Sequence, residues 1–212
     1  MDIQFVCEVL GTAAFSVSGA LTAVKHKMDI FGVIVLGIVT ALGGGLLRDI
    51  ILNISPPSLF VNTLYLNIAA VSALLVFLIL AKTNNLAVFI TGKTFNWLLN
   101  ITDAVGLAMF TVIGVNTAIE AHQGYNPVFY IFLGMLTGVG GGVIRDILAG
   151  TIPKILNKDI YAVASLTGAV LYYYAHLVIA SDYILFAAAS AVITIRILAE
   201  YYHWNLPKVH GA

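Results

Sequence analysis

Two Arg-Asp pairs, Arg48-Asp49 and Arg145-Asp146, each follow three consecutive glycines within long apolar stretches. The stretch from Thr40 to Ile50 recurs from Thr137 to Ile147, with seven of eleven positions identical at an offset of 97. Ionisable groups within hydrocarbon are costly, and by default they mark an ion or substrate path. Glu8 and Asp103 correspond at an offset of 95, as do the hydroxyl residues Ser16 and Thr111. The four carboxylates of this set face only Arg48 and Arg145, an excess of two negative charges that mildly favours cations. Adjacent residues on a helix point about 100° apart, so each member of a pair is expected to find its partner elsewhere. Crossed partners, Arg48 with Asp146 and Arg145 with Asp49, are one arrangement; two separate clusters are the other. Glu8 and Asp103 also suit the plain role of an acid in the first turn of a helix.

The glycines admit two readings. Gly37, Ala41, Gly45 and Asp49 share a helix face, as do Gly134, Gly138, Gly142 and Asp146, which is the small-residue spacing of close helix packing. That spacing leaves Gly44 and Gly141 unexplained, and each glycine in a helix interior costs about 1 kcal/mol against alanine. A local break or kink at Gly43, Gly44 and Gly45, and again at Gly140, Gly141 and Gly142, is therefore the expectation. Other chemistry has little support. The glycine runs lack the Gly-Lys-Ser/Thr of a phosphate loop, and no zinc spacing or Ser/His/Asp constellation stands out. Cys7 is the single cysteine, so no internal disulfide forms. Arg196 and Glu200, at i and i+4, read as a peripheral ion pair, and His176 as an interfacial histidine.

These residues need elements that hold them in a bilayer. The chain is 60% hydrophobic and 9% charged over 212 residues, with a mean hydropathy of +0.99. Soluble domains carry about 25% charged residues. The chain reads as an all-α integral membrane protein with seven transmembrane helices near 3–24, 31–53, 62–81, 98–120, 127–149, 160–179 and 183–203. Asp29, Asp159, Asp182 and Asn126-Pro127 supply helix starts. Pro56-Pro57 and Gly150 with Pro153 supply stops. Met1-Asp2 lacks a basic leader, so the first apolar run reads as a retained span. The formal net charge is zero, which gives no footprint for nucleic acid.

Lys25, Lys27, Lys82, Lys93, Lys154, Lys158 and Lys208 all fall in odd-numbered loops or after the last span. The positive-inside rule then predicts an outside N-terminus and a cytoplasmic C-terminus in the cell's inner (plasma) membrane. The duplication covers spans 1–3 and 4–6, and an odd unit re-enters the bilayer inverted. The expected organisation is 1–90 for the first repeat, 91–180 for the inverted second, and 181–212 for the seventh helix and a short tail.

The 3+3+1 arrangement, with GGGLLRD and GGGVIRD in spans 2 and 5, resembles the prokaryotic trimeric intracellular cation (TRIC) channels, a sequence group also described as a glycine-transporter family. The resemblance covers nearly the whole chain. It implies a homotrimer with a pore in each protomer, glycine-kinked second and fifth spans at that pore, and potassium as main permeant ion. K+ or Na+ would enter as permeant species only, with no cofactor and no enzymatic activity. Glu8, Arg48, Asp49, Asp103, Arg145 and Asp146 would be the pore charges, and Ser16 and Thr111 its polar positions. A carrier for a small neutral amino acid such as glycine is the alternative, with Arg48 or Arg145 holding the carboxylate.

Overall fold

The computed structural model describes residues 3–83, 85–121, 124, 126–157, 160–179, 181 and 183–204. Every regular element among them is a helix: α1 (Ile3–Lys25), α2 (Ile30–Ile51), α3 (Ser58–Val61), α4 (Leu64–Ala81), α5 (Leu86–Thr91), α6 (Lys93–Ala121), α7 (Pro127–Leu148), α8 (Lys154–Asn157), α9 (Ile160–Val178) and α10 (Tyr183–Tyr201). Six of these, α1, α2, α4, α6, α7 and α10, are long and apolar enough to cross a membrane. In α9, Tyr172, Tyr173, Tyr174 and His176 interrupt the apolar run.

Local chemistry sets the helix limits. Asp29 caps α2 by accepting the Gly32 N–H at 2.7 Å, and Asn126 caps α7 by accepting the Val128 N–H at 3.0 Å with Pro127 behind it. The same device closes both α2 and α7. The Asn53 and Ile54 N–H groups bond the Ile50 and Asp49 carbonyls, and those of Gly150 and Thr151 bond Ile147 and Asp146. Asn53 and Gly150 hold the left-handed conformation this cap requires, with φ of 56° and 69°. Asp159 and Asp182, read as helix starts, and Lys158 and Lys208, read in the lysine pattern, lie outside the described residues. Three short helices, α3, α5 and α8, occupy segments read as loops, and α6 begins at Lys93 rather than near 98. Its 29 residues span about 44 Å, more than the roughly 30 Å hydrocarbon core, so it extends beyond the bilayer.

Four helices form the centre: α6 packs on both α1 and α7, and α2 does the same from the opposite corner. Against this quartet α4 covers α1 and α2, whereas α9 covers α6 and α7, and α10 fills the angle between α6 and α9. The core residues Phe15, Leu107, Val112 and Leu133 are buried at these contacts. By contrast α4 turns Val71, Leu75, Leu78 and Ile79 outward, an apolar face suited to lipid.

Candidate functional site

The crossing of α2 and α7 decides what the glycines do. Both helices run unbroken through 43–45 and 140–142, so the expected break is corrected. A Cβ at Gly44 would overlap the Thr137 carbonyl oxygen, and one at Gly141 would overlap that of Thr40. The two backbones touch there, and no side chain fits between them. Gly43 faces the Ile144 methyl at 2.9 Å from where a Cβ would stand, and Gly140 faces Leu47 at 3.1 Å. At Gly45 the missing Cβ would meet only Arg48 Nη2, at 3.9 Å, whereas at Gly142 it would stand 2.9 Å from the Tyr161 hydroxyl.

The Arg-Asp pairs sit in the last turns of α2 and α7, not at mid-helix, and at opposite ends of the crossing. The crossed pairing is likewise corrected. Arg48 Nη2 lies 2.6 Å from Asp49 Oδ1, and Arg145 Nη2 lies 2.8 Å from Asp146 Oδ1. An arginine is long enough to fold back on its neighbour even though the two Cα–Cβ vectors diverge. The other carboxylate oxygen caps the next short helix: Asp49 Oδ2 accepts the Ser58 N–H at 2.8 Å, and Asp146 Oδ2 accepts that of Lys154 at 2.9 Å. The left-handed caps at Asn53 and Gly150 turn the chain back to make this reach possible. Each guanidinium then crosses to the other half of the chain, Arg48 donating to Thr117 at 3.3 Å and Arg145 to Ser18 at 2.7 Å.

The two ends differ in access. At the end without lysines, Arg48 and Asp49 border a cavity of about 190 Å³ with Glu8, Thr12, Thr117 and Glu120. Glu8 accepts a hydrogen bond from the Tyr65 hydroxyl, and Glu120 one from Asn116 at 2.8 Å. The cavity therefore holds three carboxylates against one guanidinium. At the lysine-bearing end the counterpart is shut. Arg145 donates to Asp103 and Lys154 Nζ lies 3.2 Å from Asp103 Oδ2, with Arg145 and Asp103 fully buried. Two acids, Asp103 and Asp146, meet Arg145 and Lys154 there, and the charge of Arg196 also acts on Asp103. The Lys154 stem is 15% exposed, while its ammonium is enclosed and burial pushes it down to about 8.

Ser16 and Thr111 are not brought to either cluster. The Ser16 hydroxyl donates to the Ala69 carbonyl at 2.6 Å, tying α1 to α4, and Thr111 shares a 2.7 Å hydrogen bond with Ser165, tying α6 to α9. Arg196 and Glu200 do not pair, correcting that expectation. Glu200 accepts from Asn100 at 2.7 Å, and the Arg196 guanidinium lies 4.8 Å from the Tyr161 ring centroid. Lys154, Ser18, Thr117, Tyr65 and Tyr161 belong to the clusters but escaped the sequence reading. The Tyr65/Tyr161 correspondence, one residue off the main register, was a usable signal; Lys154 had none, because the main register pairs it with Pro57 and the N–H in its place on Asp49 is that of Ser58.

A bundle of long apolar helices with charged clusters at opposite ends of a glycine crossing defines an all-helical membrane protein of transport type. The chain belongs to the family described as glycine transporter, whose model matches residues 5–81 and again 100–177. It is 39% identical to the UPF0126 inner membrane protein YadS of Escherichia coli (strain K12), over 94% of this chain and 93% of that protein. It is 35% identical to the UPF0126 membrane protein YvgT of Bacillus subtilis (strain 168), covering 94% and 93% of the two. Among solved structures it is similar to a prokaryotic TRIC channel crystallised in 0.5 M KCl, with a TM-score of 0.86, 33% identity and coverage of 96% and 98%. The TRIC trimeric intracellular cation channel orthologue from Rhodobacter sphaeroides gives a TM-score of 0.84 at 30% identity, covering 96% of this chain and all of that one. These solved relatives are channels rather than enzymes.

Proposed function

We propose that the protein is a monovalent cation channel, with potassium as its main permeant ion and a pathway along α2 and α7 within each protomer of a homotrimer. The observation that carries this reading is the acid-rich cavity around Arg48 and Asp49, with an equivalent but closed cluster at the other end of the same crossing. Low-dielectric walls lined by carboxylates concentrate cations at an opening. Glu8, Asp49 and Asp103, Asp146 are the acids of the path, Arg48 and Arg145 its internal counter-charges. The Gly43–Gly45 and Gly140–Gly142 runs form its constriction, while Ser16 on α1 and Thr111 on α6 brace it against α4 and α9. Conduction would need α2 and α7 to shift at Gly44 and Gly141, where their backbones touch. The names of the solved relatives, as cation channels and as trimeric, support the permeant species and the assembly.

With α9 counted as the sixth span and α10 as the seventh, the chain is a 3+3 inverted repeat plus one helix, divided at 1–90, 91–180 and 181–212. Two matches of one family model and two like-built Arg-Asp clusters favour this organisation. The described lysines, all at one end, favour an outside N-terminus and a cytoplasmic C-terminus in the inner membrane. The family's description as a glycine transporter keeps one second reading, a carrier that would seat a small zwitterion between Arg48 and Glu8. Purified protein in a planar bilayer separates the two. Unitary current steps in KCl, reversing near the potassium equilibrium potential, are expected. Saturable uptake of labelled glycine into vesicles without such steps would establish the carrier instead.

A further inference from the structure

Among the described residues, five buried side-chain atoms make no hydrogen bond, and all five belong to the closed cluster or touch it: Asp103 Oδ2, Arg145 Nη2, Lys154 Nζ, Tyr161 Oη and Arg196 Nε. Folded interiors leave few such atoms, and several gathered in one place point to a bound water or ion. They come from α6, α7, α8, α9 and α10 in turn. Arg145 Nη2 and Lys154 Nζ stand 2.8 and 3.2 Å from Asp146 and Asp103, yet off the hydrogen-bonding direction, so their donor capacity is unspent. Arg196 closes the far side. Its guanidinium lies 4.8 Å from the Tyr161 ring centroid, and its charge acts on both Asp103 and Tyr161. Glu200 lines the groove beyond Arg196, is exposed and accepts from Asn100, so it stays outside the cluster.

We propose that the closed cluster binds one small monovalent anion of the halide kind, held by Arg145, Arg196 and the Tyr161 hydroxyl with Lys154 at its edge. Charge and donor count both ask for an anion. Arg145, Lys154 and Arg196 against Asp103 and Asp146 leave one positive charge among the described residues, and an uncompensated buried charge is costly. Four of the five unpaired atoms are donors and one is an acceptor. A water would satisfy part of that set and leave the charge. Gly142 marks the place: where its Cβ would stand, the Tyr161 hydroxyl is 2.9 Å away and Arg145 Nη2 is 3.6 Å away, so both donors flank one spot beside the α7 backbone. Arg145, Tyr161 and Arg196 are at most 4% exposed, which excludes a bulky anion. Lys154 couples the site to pH. Burial pushes its ammonium down to about 8, and a neighbouring anion favours the charged form, so anion affinity falls as pH rises above that value. The charges acting on Lys154 are those of Asp103 on α6 and of Arg145 and Asp146 on α7. The inference does not depend on whether the protein conducts or carries.

Full-length protein in detergent is exchanged into gluconate and titrated with chloride and with bromide at fixed ionic strength. The shift in thermal unfolding reports affinity, and crystals grown in bromide locate the ion by its anomalous scattering. Both halides should raise the unfolding temperature above that in gluconate, and the bromide peak should touch Arg145, Arg196 and the Tyr161 hydroxyl. Arg196→Gln should weaken apparent halide affinity about ten-fold, the scale of one lost charge-assisted contact, with a smaller loss in Tyr161→Phe. Wild-type affinity should also fall about ten-fold between pH 7 and pH 9.5, and Lys154→Gln should remove that step. Equal unfolding temperatures in halide and gluconate, or a water in place of the bromide peak, would overturn the proposal. So would equal halide affinity in wild type and Arg196→Gln, or in wild type at the two pH values. If Arg196→Gln does not fold, Tyr161→Phe decides, and unchanged halide affinity there overturns the site.

Discussion

Asp49 and Asp146 divide their oxygens in the same way, one to the adjacent arginine and one to the N–H that starts α3 or α8. Their surroundings differ. Asp49 borders an open cavity in which water can replace a lost partner, whereas Asp146 lies among Arg145, Asp103 and Lys154 in a closed cluster. Neutralising one member of a closed cluster leaves a buried charge short of compensation, at a cost of about 3–5 kcal/mol. Asp146→Asn should therefore lose several kcal/mol of stability. Asp49→Asn should lose less and shift the reversal potential towards weaker cation preference. Thermal unfolding and reversal potentials measured on the same two variants test this, and equal stability losses would contradict it. The identity of these acids was legible from the duplicated motif. Their inequality was not, because it depends on Lys154 turning inward at the place that Ser58 takes on Asp49 in the other half.

At the scale of the element, the glycine runs permit contact rather than interruption. Helices α2 and α7 approach until the Gly44 position meets the Thr137 carbonyl and the Gly141 position meets that of Thr40. Gly44→Ala or Gly141→Ala should push the helices apart at a cost of about 1–3 kcal/mol, the usual penalty of an overfilled contact. The same change at Gly45, with open space around its missing Cβ, should cost little and gain helix propensity. Unfolding curves for the three variants provide the comparison; a tolerant Gly44 would remove the contact from the account. The sequence already carried the four-residue small stripe that announces such packing. The stripe alone could not say that the extra residues Gly44 and Gly141 meet across one crossing, since that requires the relative placement of two helices 97 residues apart in the chain.

For the whole molecule, the described lysines gather at the end that holds the closed cluster, and the acid-rich cavity opens at the other. If that end faces outward, a cysteine at Ser55 should react with an impermeant maleimide in intact cells, and one at Thr83 should react only after permeabilisation. The reverse pattern would invert the assignment. The sequence by itself determined the membrane class, the position of the six long apolar helices among the described residues to within about five residues, and the two Arg-Asp motifs with their acids. Those follow from local rules, namely hydropathy over a span, cap chemistry and duplication. Tertiary structure alone decided that each arginine keeps its neighbouring aspartate, that Ser16 and Thr111 face α4 and α9, that Arg196 leaves Glu200 for Tyr161, and that one cluster is open and the other closed. Each of these is a choice among partners within reach of one side chain, and reach is set by how helices distant in the chain pack.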